Sequence, residues 1–506
     1  MKFGSIALAL AAGATLVAPA IAEEHAPKED ATPAPGSVEP QIRTRELSGT
    51  FGGQRVDYTA TIRENILTSS DGKETPEAVI ITTSYVKKGE NSSRPVFFLF
   101  NGGPGSGSVW LQMGAFGPKR VAIPSDANDD GAPPYPLLDN PDSLLDVADL
   151  VFIDPPGTGF SHLLPGADPE KYYGFTPDAE TVAAVIRRWL NENGRWNSPK
   201  FLGGESYGTT RTATVVHQLE GAGYNDVGLN GLILISTILD FGADAEVPGN
   251  ELQYILSLPS MAAAALYHGK ATAPSVEAFT EEARRFAEGA YASALLKGQR
   301  LPAEERAAVR AELSRFTGIS EQYIENADLR ISLDRFYKEL LRDRGLTVGR
   351  LDSRYTGQDY DNAGEGPDND PSFYGIDAGY TAAINSWARE TLGYETDRVY
   401  QSIGREPQQY WTTTLDGIWG SKYYVNVAPY IGQALRENSG LEVFVAQGWY
   451  DFATPFFGAE YSLTRTGIPQ DRVHWHYYDA GHMMYVRDED RGKLSRDIRA
   501  FINKQK

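Results

Sequence analysis

Residues 201–208 read Phe-Leu-Gly-Gly-Glu-Ser-Tyr-Gly, an apolar run that ends in Gly-Glu-Ser-Tyr-Gly and then opens a helix-like segment. This is the G-x-S-x-G pattern of a nucleophile elbow, a sharp turn from a strand into a helix. A serine hydroxyl is a poor nucleophile, so it must project from such a turn, where a histidine can reach it. Gly204 and Gly208 let the strand and helix backbones pass close together. The stretch therefore predicts Ser206 as a nucleophile, provided that later residues supply its partners.

Strands and helices alternate on both sides of this turn. Strand patterns cover residues 56–62, 78–86, 96–101, 150–154, 229–235, 442–447 and 473–478, and helical patterns cover 178–193, 209–219 and 428–437. Such alternation predicts an α/β fold with a central, mostly parallel sheet and helices on both faces. A long helical block interrupts it, with patterns over residues 250–267, 275–296, 302–316 and 329–346. We therefore expect a core over 46–240, an inserted helical cap over 241–420 and the rest of the core over 421–506.

The composition excludes several classes of protein. The 506 residues carry a formal net charge of −20, which argues against nucleic acid and anionic membrane surfaces as partners. There is no cysteine, so disulfides, thiolate metal sites and a cysteine nucleophile are excluded. The seven histidines do not cluster as metal ligands, and we expect neither a metal nor a cofactor.

The amino terminus is typical of an exported protein. Residues 1–22 combine Lys2, a short apolar run and Ala20-Ile21-Ala22, which is a small-residue cleavage pattern. The apolar run is too short to span a bilayer, and no other segment is apolar enough to do so. Residues 23–45 begin with a stretch rich in Pro, Ala and Glu, which indicates a flexible linker. The sequence predicts a periplasmic or secreted protein.

A nucleophilic serine needs a base and an acid that orients the base. In the order that accompanies this elbow, the acid and then the histidine follow later strands. Strand 442–447 runs into a turn that contains Asp451, and strand 473–478 runs into a glycine turn that contains His482. We predict a triad of Ser206, Asp451 and His482. Asp479 is the rival acid, although it lies in the loop of the histidine itself.

The oxyanion hole should come partly from a glycine turn after an earlier strand. Strand 96–101 leads into Gly102-Gly103-Pro104-Gly105, which suits the exposure of backbone N–H groups. We predict the N–H groups of Gly103 and of Tyr207, the residue after the nucleophile, as its donors. The turn is not a phosphate loop, because no Gly-Lys-Ser/Thr follows.

Four blocks of sequence make a resemblance specific. Asn-Gly-Gly-Pro-Gly at 101–105, Asp-Pro-Pro-Gly-Thr-Gly-Phe-Ser at 154–161, Gly-Glu-Ser-Tyr-Gly at 204–208 and Ala-Gly-His-Met at 480–483 resemble the signature blocks of the serine carboxypeptidase family. The similarity extends from about Gly49 to the end, except that the cap matches only as a helical insertion. The family implies an α/β-hydrolase fold, peptide substrates and release of C-terminal residues.

The resemblance also implies roles for particular residues. Asn101, Gly102 and Glu205 correspond to the group that binds the terminal carboxylate of the substrate, and Met483 resembles a residue of the leaving-group pocket. A carboxyl group beside a carboxylate binds well only when one of the two is protonated. Two positions depart from the family, since Leu99 replaces a tryptophan and Ala115 replaces a glutamate that normally pairs with the elbow glutamate. The second departure bears on the strength and pH range of carboxylate recognition.

Three functions compete at this level. The first is a secreted serine carboxypeptidase. The second is an esterase or acyltransferase on the same scaffold, which Asn101 and Glu205 argue against and Ala115 mildly favours. The third is a non-catalytic binding protein, which an intact set of Ser206, Asp451 and His482 argues against.

Overall fold

A computed structural model describes residues 39–69, 73–89, 92–221, 226–245, 247–416 and 422–505. The predicted signal segment and most of the predicted linker lie outside these residues. A strand already begins at Ile42, so the last four residues of segment 23–45 belong to the sheet and not to a linker. Most side chains of this strand are exposed, which is why its sequence lacks the apolar alternation of a half-buried strand.

The centre of the structure is a ten-stranded sheet. Its main strands are β1 (Ile42–Phe51), β2 (Gln54–Thr68), β3 (Pro76–Lys87), β4 (Val96–Phe100), β5 (Asp149–Asp154), β6 (Lys200–Ser206), β7 (Gly231–Thr237), β8 (Glu442–Gly448) and β9 (Val473–Tyr478). Their order is β1-β2-β3-β5-β4-β6-β7-β8-β9, and the short strand His162–Leu163 pairs with β3. β1, β2, β3 and β5 pair antiparallel, whereas the neighbours from β5 to β9 are all parallel.

The parallel strands other than the edge strand β9 are buried on both faces, as the predicted alternation of strands and helices requires. In β4, Phe97 and Leu99 join one hydrophobic cluster, and Phe98 and Phe100 join another on the opposite face. This alternation follows from the two-residue period of a strand. The chain thus has the predicted α/β-hydrolase fold, with a mostly parallel sheet between helical layers.

The helices have the following bounds. They are α1 (Phe175–Glu192), α2 (Tyr207–Glu220), α3 (Phe241–Asp244), α4 (Leu252–Tyr267), α5 (Val276–Phe286), α6 (Ala292–Lys297), α7 (Ala303–Thr317), α8 (Glu321–Asn326), α9 (Leu333–Glu339), α10 (Pro371–Tyr374), α11 (Asp377–Ser386), α12 (Arg405–Tyr410), α13 (Ala428–Glu437), α14 (Phe456–Leu463) and α15 (Asp488–Lys504). Helices α1, α2 and α13 cover one face of the sheet, and α15 contributes to the cluster on the other.

Shorter elements connect these parts. There are π-helical turns at Leu111–Phe116, Ala287–Tyr291 and Trp387–Thr391. There are 3-10 turns at Leu144–Asp146, Pro169–Lys171, Gly298–Arg300, Arg342–Arg344, Gln470–Arg472 and Met484–Val486. Three small two-stranded sheets pair Lys119–Val121 with Leu137–Asp139, Thr347–Val348 with Thr356–Gly357, and Leu415–Asp416 with Lys422–Tyr423.

The predicted cap segment is helical and has a hydrophobic cluster of its own. That cluster joins α4, α5, α7 and α9 to Trp449, Phe452 and Phe456 of the later core segment. Where the sequence predicted one helix over 329–346, the structure has the shorter α9 followed by the 3-10 turn Arg342–Arg344. Leu329 has a positive φ of 64°, which is not helical, and Ser332 caps α9 by accepting a hydrogen bond from the N–H of Arg335, so the helix begins only at Leu333.

Candidate active site

The elbow forms where the sequence predicted it. β6 ends at Ser206 and α2 begins at the next residue. Ser206 has φ +61° and ψ −131°, a strained conformation for a residue with a side chain. A Cβ atom on Gly204 would lie 2.5 Å from the carbonyl oxygen of Gly208, and one on Gly208 would lie 2.9 Å from that of Phe100. Both glycines are therefore required for the strand and helix to meet at this angle.

Asp451 lies in the turn after β8 and is fully buried. Its Oδ1 accepts hydrogen bonds from the backbone N–H groups of Ala453 and Thr454, at 2.8 and 3.0 Å. Its Oδ2 accepts one from the hydroxyl of Thr454 at 2.7 Å and lies 2.8 Å from His482 Nδ1. These hydrogen bonds fix the orientation of the carboxyl group toward the histidine.

His482 is also buried, in the loop after β9. Burial alone would lower its pKa, but the charge and hydrogen bond of Asp451 and the charge of Glu205 raise it above its ordinary value. Because Nδ1 faces Asp451 Oδ2 at hydrogen-bond distance, the proton of the neutral ring is assigned to Nδ1, and Nε2 is left as the acceptor that a general base needs. Asp479, the rival acid, is exposed. The structure thus brings Asp451 to His482.

A cap segment that the sequence did not single out holds both loops. The N–H of His482 donates to the carbonyl of Leu351 at 2.6 Å, and the N–H of Gly481 donates to Asp352 Oδ2 at 3.0 Å. A Cβ atom on Gly481 would clash with the same Leu351 carbonyl, so only glycine allows this approach. Residues 350–353 therefore fix the position of the histidine loop.

The same segment holds the loop of the candidate acid. The N–H of Phe452 donates to the carbonyl of Arg350 at 3.1 Å, and the N–H of Ser353 donates to the carbonyl of Tyr450 at 3.0 Å. Segment 350–353 thus bridges the acid and histidine loops, mainly through backbone groups.

The two predicted oxyanion donors lie on adjoining backbone. Tyr207 is the first residue of α2, so its N–H has no acceptor within the helix and lies at the positive end of the helix dipole. Gly103 follows β4 and has φ +103°. A Cβ atom on Gly102 would lie 2.6 Å from the nitrogen of Tyr207, which shows how closely the two turns approach.

Asn101 and Glu205 form a buried pair. Asn101 Nδ2 donates to Glu205 Oε1 at 2.9 Å, and Asn101 Oδ1 accepts from the N–H of Leu111 at 3.0 Å. Burial raises the pKa of Glu205 from 4.5 to about 7, while the positive charge of His482 and the hydrogen bond from Asn101 act to lower it. A carboxyl group with this pKa can be protonated near neutral pH and can then donate a hydrogen bond to an anion.

A buried ion pair, which the sequence did not reveal, holds the backbone of Asn101. Arg211 Nε donates to Asp178 Oδ2 at 2.6 Å, and Arg211 Nη1 donates to the carbonyl of Asn101 at 2.5 Å. The guanidinium also lies 5.0 Å from the centre of the Tyr207 ring. This ion pair ties α1 and α2 to the turn that carries the candidate donors.

A cavity of about 400 Å³ opens over these groups. Of the predicted site residues, it is lined by Asn101, Gly102, Gly103, Glu205, Ser206, His482 and Met483 but not by Asp451 or Tyr207. The predicted cap segment adds Arg350, Leu351, Asp370, Phe373, Ile403 and Gln408. This size is within the range of small-molecule and peptide side-chain sites.

Two other features were searched for in the described residues. No group of three or more His, Asp or Glu side chains among them is arranged to hold a metal ion. None of the helices in that part of the chain is both long and apolar enough to cross a membrane.

Comparison with known families confirms the resemblance that the motifs indicated. The family model described as serine carboxypeptidase matches residues 83–275. The matched segment includes the blocks around Asn101, Asp154 and Ser206 and ends before Asp451 and His482. No curated protein sequence matches the chain. With the fold, this match supports a serine hydrolase.

Several solved structures match the chain at low identity. One is a juvenile hormone epoxide hydrolase from the silkworm Bombyx mori, at 12% identity over 88% of this chain and 79% of that chain, with a TM-score of 0.34. Another is an epoxide hydrolase from Aspergillus niger, at 12% identity over 89% and 78%, with a TM-score of 0.34. A third is a peroxisomal α/β-hydrolase from Saccharomyces cerevisiae, at 10% identity over 92% and 90%, with a TM-score of 0.29. Likeness at this level says nothing about the reaction.

Proposed function

We propose that the protein is a serine carboxypeptidase that releases C-terminal residues from peptides. The observation that carries this proposal is the buried Glu205 carboxyl group next to Ser206. Its pKa of about 7 and its hydrogen bond to Asn101 suit it to bind a terminal carboxylate in the cavity that Ser206 and His482 also line. An ordinary esterase has no need of a protonatable group at this position.

The proposed reaction uses Ser206, His482 and Asp451 as nucleophile, base and orienting acid. Ser206 Oγ attacks the carbonyl carbon of the last peptide bond while His482 Nε2 takes its proton, and Asp451 stabilises the resulting imidazolium. The N–H groups of Gly103 and Tyr207 bind the oxyanion. The imidazolium then protonates the departing amine, which leaves as the C-terminal amino acid. Water, activated by the same imidazole, hydrolyses the acyl-enzyme and regenerates the serine.

The substrate's terminal carboxylate is the group that would distinguish a carboxypeptidase from other hydrolases. In our proposal Asn101, the backbone at Gly102 and protonated Glu205 donate hydrogen bonds to it, and Met483 lines the pocket of the leaving residue. The assignment of Asn101, Gly102, Glu205 and Met483 to these roles follows the family resemblance. Their common position on one cavity with Ser206 supports it.

Mass spectrometry of the products from a mixture of peptides tests the proposal. We expect residues to leave one at a time from the C-terminus, and we expect C-terminally amidated copies of the same peptides to be cleaved far more slowly. The Ser206→Ala variant is the matched control. Internal cleavage, or equal rates for free and amidated C-termini, would contradict a carboxypeptidase.

An esterase or acyltransferase is the second candidate, because Ala115 removes the second acid that the resemblance implies. Blocked dipeptides and simple esters separate the two. An enzyme that hydrolyses esters efficiently but leaves every free-carboxylate dipeptide intact would be an esterase. Labelling of Ser206 by a fluorophosphonate would separate both candidates from a non-catalytic binding protein.

We also propose that the protein is exported to the periplasm or beyond. The proposal rests on the sequence alone, namely the signal pattern of residues 1–22. These residues lie outside the part of the chain that the structure describes.

A further inference from the structure

Two buried polar atoms lie close together near the candidate nucleophile without a hydrogen bond of standard geometry between them. Neither Glu205 Oε2 nor the hydroxyl of Tyr485 has a hydrogen-bond partner of standard geometry among the described residues. Yet the hydroxyl is near enough to the Glu205 and Asn101 side chains to interact with both electrostatically. Buried polar atoms are nearly always paired, so two neighbouring unpaired ones point to a bond that forms in a working state.

The backbone around Tyr485 places its ring against the turn that carries position 115. Tyr485 lies in the Met484–Val486 turn, three residues after His482. A Cβ atom on Gly114 would lie 2.8 Å from Tyr485 Cε2 and 2.6 Å from the hydroxyl oxygen of Tyr380. Gly114 therefore leaves room for both tyrosine rings beside position 115, where the resemblance implies a second glutamate.

We propose that the Tyr485 hydroxyl donates a hydrogen bond to Glu205 Oε2 and positions this carboxyl group for the substrate. It would do so in place of the second acid that Ala115 removes. The proposal rests on the proposed function and adds a positioning residue to it. Asn101 would hold one carboxyl oxygen and Tyr485 the other, so that Glu205 keeps one orientation toward an incoming carboxylate.

A tyrosine would affect the titration of Glu205 differently from a second glutamate. Two carboxyl groups share a proton and titrate as a coupled pair. Burial and the charge of Glu205 raise the pKa of the Tyr485 hydroxyl well above its ordinary value, so it remains a donor throughout the working pH range. Glu205 should therefore titrate as a single group, and its ionised form should be stabilised by the tyrosine.

Other groups also act on Glu205 and must be kept constant in a test. His482 and Asp451 act through their charges, Asn101 through its hydrogen bond, and Tyr380 lies close enough for its own pKa to be raised by the Glu205 charge. Tyr380 is a buried tyrosine that contacts the same Gly114. It offers a matched control, because removing its hydroxyl alters the same packing without removing the proposed donor.

The first test compares Tyr485→Phe with Tyr380→Phe by measuring kcat/KM against pH. Loss of a donor to the carboxylate raises the pKa of Glu205, so the alkaline limb of Tyr485→Phe should move up by about one pH unit with a free-carboxylate dipeptide. An ester without a free carboxylate should show no such shift, and Tyr380→Phe should match the parent enzyme. Superimposable dipeptide profiles for all three proteins, or equal shifts with dipeptide and ester, would overturn the proposal.

The second test does not depend on carboxypeptidase activity. Glutamate labelled with ¹³C at the carboxyl carbon should give a resonance that titrates near pH 7 and disappears in Glu205→Gln. In the unmutated protein, the ¹³Cζ resonance of Tyr485 should titrate with the same midpoint. A flat Tyr485 resonance would refute the pair even if Tyr485→Phe failed to fold. Absence of C-terminal release with a matching titration would refute the proposed function and leave the pair standing.

Discussion

Replacing Glu205 with glutamine should remove the alkaline limb of peptidase activity. The buried carboxyl group has a pKa of about 7 instead of 4.5, chiefly because burial disfavours its charged form. If only the protonated form binds the substrate carboxylate, kcat/KM of the parent enzyme falls tenfold per unit above pH 7, or about 100-fold by pH 9. Glutamine keeps a donor that does not titrate, so its profile should stay flat across this range.

The rate at low pH shows how much activity Glu205→Gln loses when Glu205 of the parent protein is protonated. A glutamine N–H is a weaker donor to a carboxylate than a carboxylic acid, so we expect kcat/KM of Glu205→Gln at pH 5.5 to fall by about tenfold. The acid limb reports protonation of His482, and because the charge of Glu205 helps to raise the pKa of His482, this limb should move to lower pH in Glu205→Gln. The two profiles should therefore converge or cross on the alkaline side.

The same shift makes a prediction about folding. The pKa of Glu205 is higher in the folded chain than in the unfolded chain, so its contribution to stability is fully present below about pH 4.5 and is lost as the pH rises through about 7. A shift of roughly 2.5 units corresponds to about 3 kcal/mol. The free energy of unfolding of Glu205→Gln, relative to the parent protein, should therefore rise by about that amount between pH 4 and pH 8.

The assays are kcat/KM against pH for a blocked dipeptide and an ester, and urea unfolding at the same pH values. The ester should show no alkaline limb that depends on Glu205, because its rate needs only neutral His482. The reasoning is refuted if the dipeptide profiles of the parent and Glu205→Gln superimpose, in which case Glu205 only holds the elbow. It is refuted separately if the difference in unfolding free energy does not change with pH.

Three further predictions concern other parts of the site and the chain. Ser206→Ala should lower kcat by a factor on the order of 10⁴ or more while leaving the melting temperature within a few degrees, and near-normal turnover would exclude Ser206 as the nucleophile. Gly102→Ala would place a Cβ atom 2.6 Å from both the Glu205 carbonyl oxygen and the Tyr207 nitrogen. Because the proposed oxyanion donors would have to move, kcat should fall by about 10²-fold or more. An unchanged kcat would show that this turn is not part of the oxyanion hole. Sequencing of the mature protein should begin at or near Glu23, and an intact Met1 would contradict export by a cleaved signal.

The parts of the site that the sequence revealed are those in which chemistry restricts the residue type. Glycine is required where a Cβ atom would meet backbone, as at Gly204 and Gly208, and this requirement leaves a readable pattern around Ser206. Asp451 and His482 could be placed because each follows an apolar strand of a parallel sheet, and such strands bring their C-terminal ends to one edge. Sequence order and strand position together were enough to select Asp451 over Asp479.

The parts that the sequence did not reveal depend on contacts between distant segments. Arg211 and Asp178 each read as an ordinary polar residue of a helix, and only the packing of α1 against α2 buries them as a pair. Tyr485 reads as one more apolar residue after the histidine. Its proximity to Glu205 follows from the shape of a short turn and from the space above Gly114, neither of which has a sequence pattern.

The bridge between the acid and histidine loops connects the predicted cap segment directly to the candidate active site. Three of its four described hydrogen bonds join backbone N–H and carbonyl groups, which every residue in segment 350–353 would offer. Such bonds impose no residue type, so no motif can mark them. The fourth, from the Gly481 N–H to Asp352, needs a carboxylate that Arg354 also holds at 2.6 Å. Because the segment contacts the loops of Asp451 and His482 together, a shift of the cap would change the relative position of acid and base. The predicted cap segment should therefore control the geometry of the proposed triad.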